Sequence, residues 1–105
     1  MKYVVLFEDN PETDLCTRLS YLPLHLAYLE KNAEQITAVG GLSDADDIGR
    51  GDLWVLSAEN EDEVVRFVRE DPFWPTGLRK SFQIMRWRQV FANGLRIVQT
   101  EAEFA

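Results

Sequence analysis

Two side chains in this sequence have the chemistry of an acid–base pair, and 46 positions separate them. His25, within YLPLHLAYLE (21–30), is the one histidine of the chain. Imidazole changes charge near neutral pH, so a histidine at the edge of a cleft serves as a general acid or base. Asp71 stands in EDPFWPTGL (70–78), immediately before Pro72. A carboxylate on a rigid turn can accept a hydrogen bond from an imidazole N–H, which fixes the tautomer and favours the protonated ring. Phe73 and Trp74 beside it would supply an apolar wall for a substrate, and Arg18 a cation for an anionic group. Trp54 and Trp87 read as core or interface residues. Each member of the pair also has a plainer reading. A lone histidine on a half-apolar helix is commonly a structural boundary residue. A residue before proline avoids the α region, and Asp-Pro commonly starts a short helical turn. The residues alone leave both readings open.

These side chains must be positioned by helices and strands. KYVVLFE (2–8) is β-branched and aromatic and ends at the turn cluster DNPE, as a strand does. A helical stretch follows to about residue 34, with Leu15, Leu19, Leu22, Leu26, Leu29 and Ala33 on one stripe. His25 lies about 80° from the centre of that stripe on a helix of 3.6 residues per turn, with Arg18 on the same edge two turns earlier. Pro23 removes a backbone donor from a helix interior, which favours a main helix starting near Ser20 over a kinked one. Strands are expected at 35–43 and 51–59, then a helix at 60–70 opened by Asn60 as cap and Glu63 three residues on. A fourth strand is expected at 78–91, and Asn93-Gly94 signals a tight hairpin leading to a short fifth strand at 95–99. The loop DADDIGR offers Asp44 and Asp46 at calcium-loop spacing, but Ile48 and Val55 fall where oxygen ligands are required.

The order β-α-β-β-α-β is the ferredoxin-like arrangement, an α+β fold with an antiparallel sheet. The runs YVVLF and LWVL are apolar on both strand faces, whereas two helices cover only one face. A second copy packed sheet on sheet is the simplest cover for the other, giving a homodimer in the form of a dimeric α/β barrel.

Composition narrows the function. The 105 residues are 46% hydrophobic and 28% charged, as in one ordinary globular domain. A formal net charge of −7 opposes a nucleic-acid partner. Residues 1–71 hold sixteen acids against six bases, while 72–100 hold five bases and no acid. That basic third is either a complementary surface or a pocket wall. With Cys16 and His25 each alone in its type, an intrachain disulfide is excluded and a zinc site is rejected; nothing marks another metal or a cofactor. The apolar run of MKYVVLF is too short for a signal core or a membrane span, so a soluble, cytoplasmic protein is expected.

MKYVVLFEDNPE, HLAYLE, AVGGL, GDLWVLSAENEDEVVRFVREDPF and finally IMRWR together resemble the YciI-like (YCII-related) family of small bacterial proteins, over residues 1–91. HLAYLE and DPF are its most specific parts. The resemblance implies a ferredoxin-like domain at 1–91 that dimerises into an α/β barrel, with 92–105 as a C-terminal extension. It implies a His–Asp pair in a cleft, carried here by His25 and Asp71, and acid–base chemistry without a cofactor. The expected reactions are isomerisation, tautomerisation or elimination on a small cyclic substrate; the rival expectation is a non-catalytic dimeric module that binds a metabolite or a protein. The chain departs from the family pattern at Gly40-Gly41, where Gly-Pro is usual, and at Arg86-Trp87-Arg88, where a PWR ending is usual.

Overall fold

The computed structural model describes residues 1–98. Strands β1 (Lys2–Asp9), β2 (Ile36–Ser43), β3 (Gly49–Ser57) and β4 (Arg79–Arg86) form one antiparallel sheet in the order β2-β3-β1-β4. Helix α1 (Leu15–Lys31) links β1 to β2, and α2 (Glu61–Glu70) links β3 to β4. This is the α+β arrangement with an antiparallel sheet that the alternation of motifs implied.

The pleat divides the sheet's side chains into two sets. Tyr3, Val5, Phe7, Trp54 and Leu56 are buried, and they form one core with Val64, Phe67 and Val68 of α2. The alternate positions Val4, Leu6, Leu53 and Val55 are only half-buried, and Met85 is exposed. Register puts these outer residues side by side, Val4 opposite both Val55 and Met85 and Leu6 opposite Leu53. The apolar character of both strand faces therefore translates into one packed face and one open apolar face.

Helix α1 departs from expectation in two ways. It runs unbroken from Leu15, with Asp14 as its cap accepting from Thr17 N at 2.9 Å, so Pro23 lies in its interior rather than its first turn. Leu19 and Pro23 are both exposed, and on that side water can serve the carbonyl that proline leaves without a donor. The leucine stripe also faces the core only in part. Leu15, Leu19 and Leu26 are 68%, 56% and 47% exposed, while His25 is the buried residue of the helix. The inward face runs through Arg18, Leu22, His25, Tyr28 and Leu29, so it takes in two leucines of the stripe together with the edge that the helical wheel placed beside it.

The chain after β4 also differs. The fourth strand stops at Arg86, not 91, because its partner β1 begins at Lys2; the last bond of the pair runs from Trp87 N to the Lys2 carbonyl, at 3.0 Å. The Asn93-Gly94 turn forms as its sequence demands, both residues at positive φ (52° and 78°), and joins β5 (Phe91–Ala92) to β6 (Leu95–Arg96) in a separate small sheet. The expected strand at 95–99 is thus seen as two residues, with its end lying outside the described residues. No helix among the described residues is long and apolar enough to cross a membrane.

On β3, Gly51 lies against β1 so closely that a Cβ there would overlap the Phe7 carbonyl oxygen. Gly51→Ala should therefore cost more than about 2 kcal/mol of stability in a urea titration, as backbone overlap in a core strand does. A wild-type midpoint would show that β3 can shift away at no cost.

Candidate active site

The site is assembled where α1, the end of α2, β3 and the start of β4 meet. Helix α1 delivers His25 inward. Helix α2 ends at Asp71 because Pro72 forces the preceding residue out of helical geometry; Asp71 has φ −64° and ψ 130°. A short turn at Trp74–Thr76 follows, held by Trp74 N donating to the Asp71 carbonyl at 2.8 Å, and Gly77 closes it in the left-handed region at φ 79°. Strand β4 then begins with Arg79 directed into the interior.

These placements fill the Asp71 carboxylate on both oxygens. Oδ1 accepts from His25 Nδ1 at 2.8 Å and from the Phe73 backbone N–H at 3.1 Å. Oδ2 accepts from Arg79 Nη1 at 2.8 Å. The Asp71 side chain has no exposed surface and that of His25 is 6% exposed. Burial on its own would push the Asp71 carboxyl up. The His25 hydrogen bond, the Arg79 charge and the Phe73 amide outweigh it and hold the group below its ordinary value. An ionised Asp71 only accepts, so His25 donates to it from Nδ1, while Nε2 has no protein partner among the described residues. The Phe73 ring stacks on the imidazole, with centroids 4.1 Å apart and an interplanar angle of 13°. The turn that places Asp71 also fixes the ring plane of its partner.

Arg79 is the group that residue-by-residue reading missed. Its side chain is 1% exposed and its guanidinium carbon lies 4.0 Å from the Phe7 ring centroid and 5.3 Å from that of Trp54. Nη1 is spent on Asp71, and Nη2 stands 3.5 Å from Oδ2 of Asp52. Asp52, Arg79, Asp71 and His25 thus form a chain of alternating charge ending on the imidazole. A signal for it exists in the sequence. Asp52 has the same strand parity as Trp54 and Leu56, and a carboxylate on the core side of a strand requires a cation.

The other expected site residues are placed differently from one another. Arg18 donates to Asp9 at 3.1 Å and lies 5.8 Å from the Phe73 ring centroid. It lines a cleft of about 510 Å3 together with Asp9 and Asp52. Burial and the nearby Asp52 push the Asp9 carboxyl up against the opposing pull of Arg18. Phe73 is brought to His25, whereas Trp74 packs edge-on against Phe82 with ring centroids 5.3 Å apart; neither aromatic, and neither His25 nor Asp71, is among the residues that line that cleft. Of the basic third, Arg79 goes to the interior and Lys80 to a surface pair with Glu8 at 3.5 Å.

The lowered Asp71 carboxyl has a consequence for stability. A group whose pKa falls on folding stabilises the fold above its unfolded value and loses that contribution as pH drops through the folded one. The stability advantage of the native protein over Asp71→Asn should shrink as pH falls below the ordinary value of 3.8. Urea midpoints for both proteins from neutral pH to acid check this; a gap that widens in acid would show the sign to be wrong.

The YCII-related domain family matches residues 1–88. Among solved structures, that of 5-chloro-2-hydroxyhydroquinone dehydrochlorinase (TftG) from Burkholderia phenoliruptrix AC1100, in complex with 2,5-dihydroxybenzoquinone, is similar at 33% sequence identity. The match covers 83% of this chain and 93% of that one, with a TM-score of 0.72. The At3g17210 protein from Arabidopsis thaliana is 12% identical over 88% of this chain and 97% of that one, at a TM-score of 0.47 too low to support an argument. No curated protein matches. The match across nearly the whole sheet-and-helix domain, with the similarity to the dehydrochlorinase structure, places this chain in the YCII-related family.

Proposed function

We propose that the protein is a small acid–base enzyme in which His25 moves a proton at Nε2 and Asp71 holds the ring. The observation that carries the reading is the 2.8 Å contact between Nδ1 and a carboxylate fully occupied by Arg79 and the Phe73 amide. A carboxylate fixed in this way orients the imidazole before the substrate arrives and stabilises the charge that develops when Nε2 takes up a proton. Phe73 keeps the ring plane, and Arg18 stands at the cleft with its guanidinium shared with Asp9. The reactions within reach of such a pair are isomerisation, tautomerisation or elimination on a small cyclic substrate, without a cofactor. Similarity to a dehydrochlorinase of 33% identity favours elimination. There one hydroxyl proton would first move to the chlorine-bearing carbon, giving a keto tautomer; the base would then take a second hydroxyl proton while chloride leaves with the C–Cl bonding electrons, so that HCl is lost overall and a quinone forms. One observation favours a second reading, a non-catalytic binding module: His25 is 4% exposed and stacked beneath Phe73.

The test is chloride release from 5-chloro-2-hydroxyhydroquinone, with proton exchange of hydroxyquinones in D2O followed in parallel. His25→Ala and Asp71→Asn should each slow turnover by about 10²–10⁴-fold, the usual contribution of a positioned acid or base. Folded variants with full activity would overturn the dyad; ligand binding without turnover by the native protein would establish the binding module instead.

We further propose that the working unit is a homodimer joined through the open sheet face, with residues 92–105 as an extension to the domain. Half-buried Val4, Leu6, Leu53 and Val55 with exposed Met85 form an apolar surface on a strand array, which a second copy can cover sheet on sheet. Light scattering at micromolar concentration should read twice the 12.1 kDa chain mass. Leu53→Asp, in the middle of that face, should shift it to the monomer mass.

A further inference from the structure

The cleft beside the dyad contains one carboxylate whose surroundings are incomplete. Asp52 faces the helices from β3, in register between Phe7 on β1 and Gly41 on β2. Its side chain is 10% exposed and lines the cleft, yet no side chain or backbone amide among the described residues donates a hydrogen bond to it. The nearest cation, Arg79 Nη2, stands 3.5 Å away and has no hydrogen-bond acceptor of its own. The neighbouring carboxylates are served: Asp9 by Arg18, and Asp14 by the amide of Thr17. The two arginines of the cleft are committed as well, Arg18 to Asp9 at 3.1 Å and Arg50 to Asp44 at 2.6 Å. Gly41 leaves room on the open side of Asp52, since a Cβ there would lie 3.8 Å from Oδ1.

A largely buried carboxylate short of donors is costly, and a ligand that brings an O–H relieves that cost. An anion gains nothing comparable, because it meets the Asp52 charge and finds both arginines paired. We propose that Asp52 is the ligand-anchoring carboxylate of the site, accepting a hydrogen bond from a hydroxyl of an uncharged, hydroxylated ring compound held in the cleft. The chain Asp52–Arg79–Asp71–His25 links that anchor to the imidazole. The inference rests on the small-ring reading above and adds which ring is held: one selected by its hydroxyl hydrogen, not by a negative charge.

The probes are catechol, its dimethyl ether veratrole, and benzoate, titrated by calorimetry into the full chain. The native protein should bind catechol about ten-fold or more tightly than either of the others. Asp52→Ala should weaken catechol binding by about 10- to 100-fold and leave veratrole unchanged. The isosteric Asp52→Asn, which keeps a neutral acceptor, should fall between, and it carries the test if the alanine variant does not fold. Catechol bound no better than veratrole or benzoate, including no binding of any of them at millimolar concentration, overturns the proposal. So does a folded Asp52→Asn or Asp52→Ala protein that binds catechol as the native one does. The catechol preference without turnover by the native protein supports the anchor while overturning the acid–base reading; turnover without the preference overturns the anchor alone.

Discussion

The arrangement depends on one buried carboxylate with every position around it filled. Removing an ionised aspartate and an arginine from water costs several kcal/mol for each ion, and their attraction offsets that only when geometry is good and the remaining lone pairs are used. Asp71 meets the condition through three donors from three different parts of the chain: His25 on α1, the Phe73 amide in the following turn, and Arg79 at the start of β4. Each donor is also a constraint on where its element sits. The arginine adds a further condition, because its Nε and Nη2 have no hydrogen-bond acceptor and it rests on aromatic faces instead.

That requirement accounts for the orientation of α1. A helix with leucines on one stripe would bury the stripe if burial of apolar area were the only force. Here the inward face carries His25 and Tyr28, whose hydroxyl donates to the Phe67 carbonyl at 2.7 Å at the end of α2. Burial, together with the charges of Glu70 and Asp71, pushes the Tyr28 phenol up to about 12, so it remains a donor across the physiological range. Two polar anchors, one to the Asp71 carboxylate and one to a neighbouring helix end, fix the rotation of α1, and Leu15, Leu19 and Leu26 are left on the surface.

The site therefore has a rigid part and an open part. The imidazole is clamped by stacking and by the carboxylate behind it, as proton transfer to a positioned substrate demands. The cleft next to it carries Asp52, short of donors, and two arginines already paired. Arg79 belongs to both parts, with one nitrogen on Asp71 and another facing Asp52. In the proposed reaction the first part supplies the base and the second selects the ring, so the buried arginine joins recognition to chemistry within four side chains.

Local residue chemistry by itself determined the alternation of strands and helices, the caps at Asn60 and the Asn93-Gly94 hairpin, since periodicity, capping and turn preference act over a few residues. It also singled out His25 and Asp71, because few residue types titrate usefully and proline restricts the residue before it. The end of β4 at Arg86 was not legible, as a strand lasts only as long as its partner, and β1 begins at Lys2. The rotation of α1, the unbroken passage through Pro23 and the burial of Arg79 were decided by the tertiary structure. The first and last turn on a balance between hydrating a charge and pairing it, with partners eight to 46 positions away along the chain, and the second on water reaching the exposed side of the helix. A helical wheel weighs leucines against solvent; it contains no term for a carboxylate arriving from another helix, and that carboxylate is what turned His25 inward.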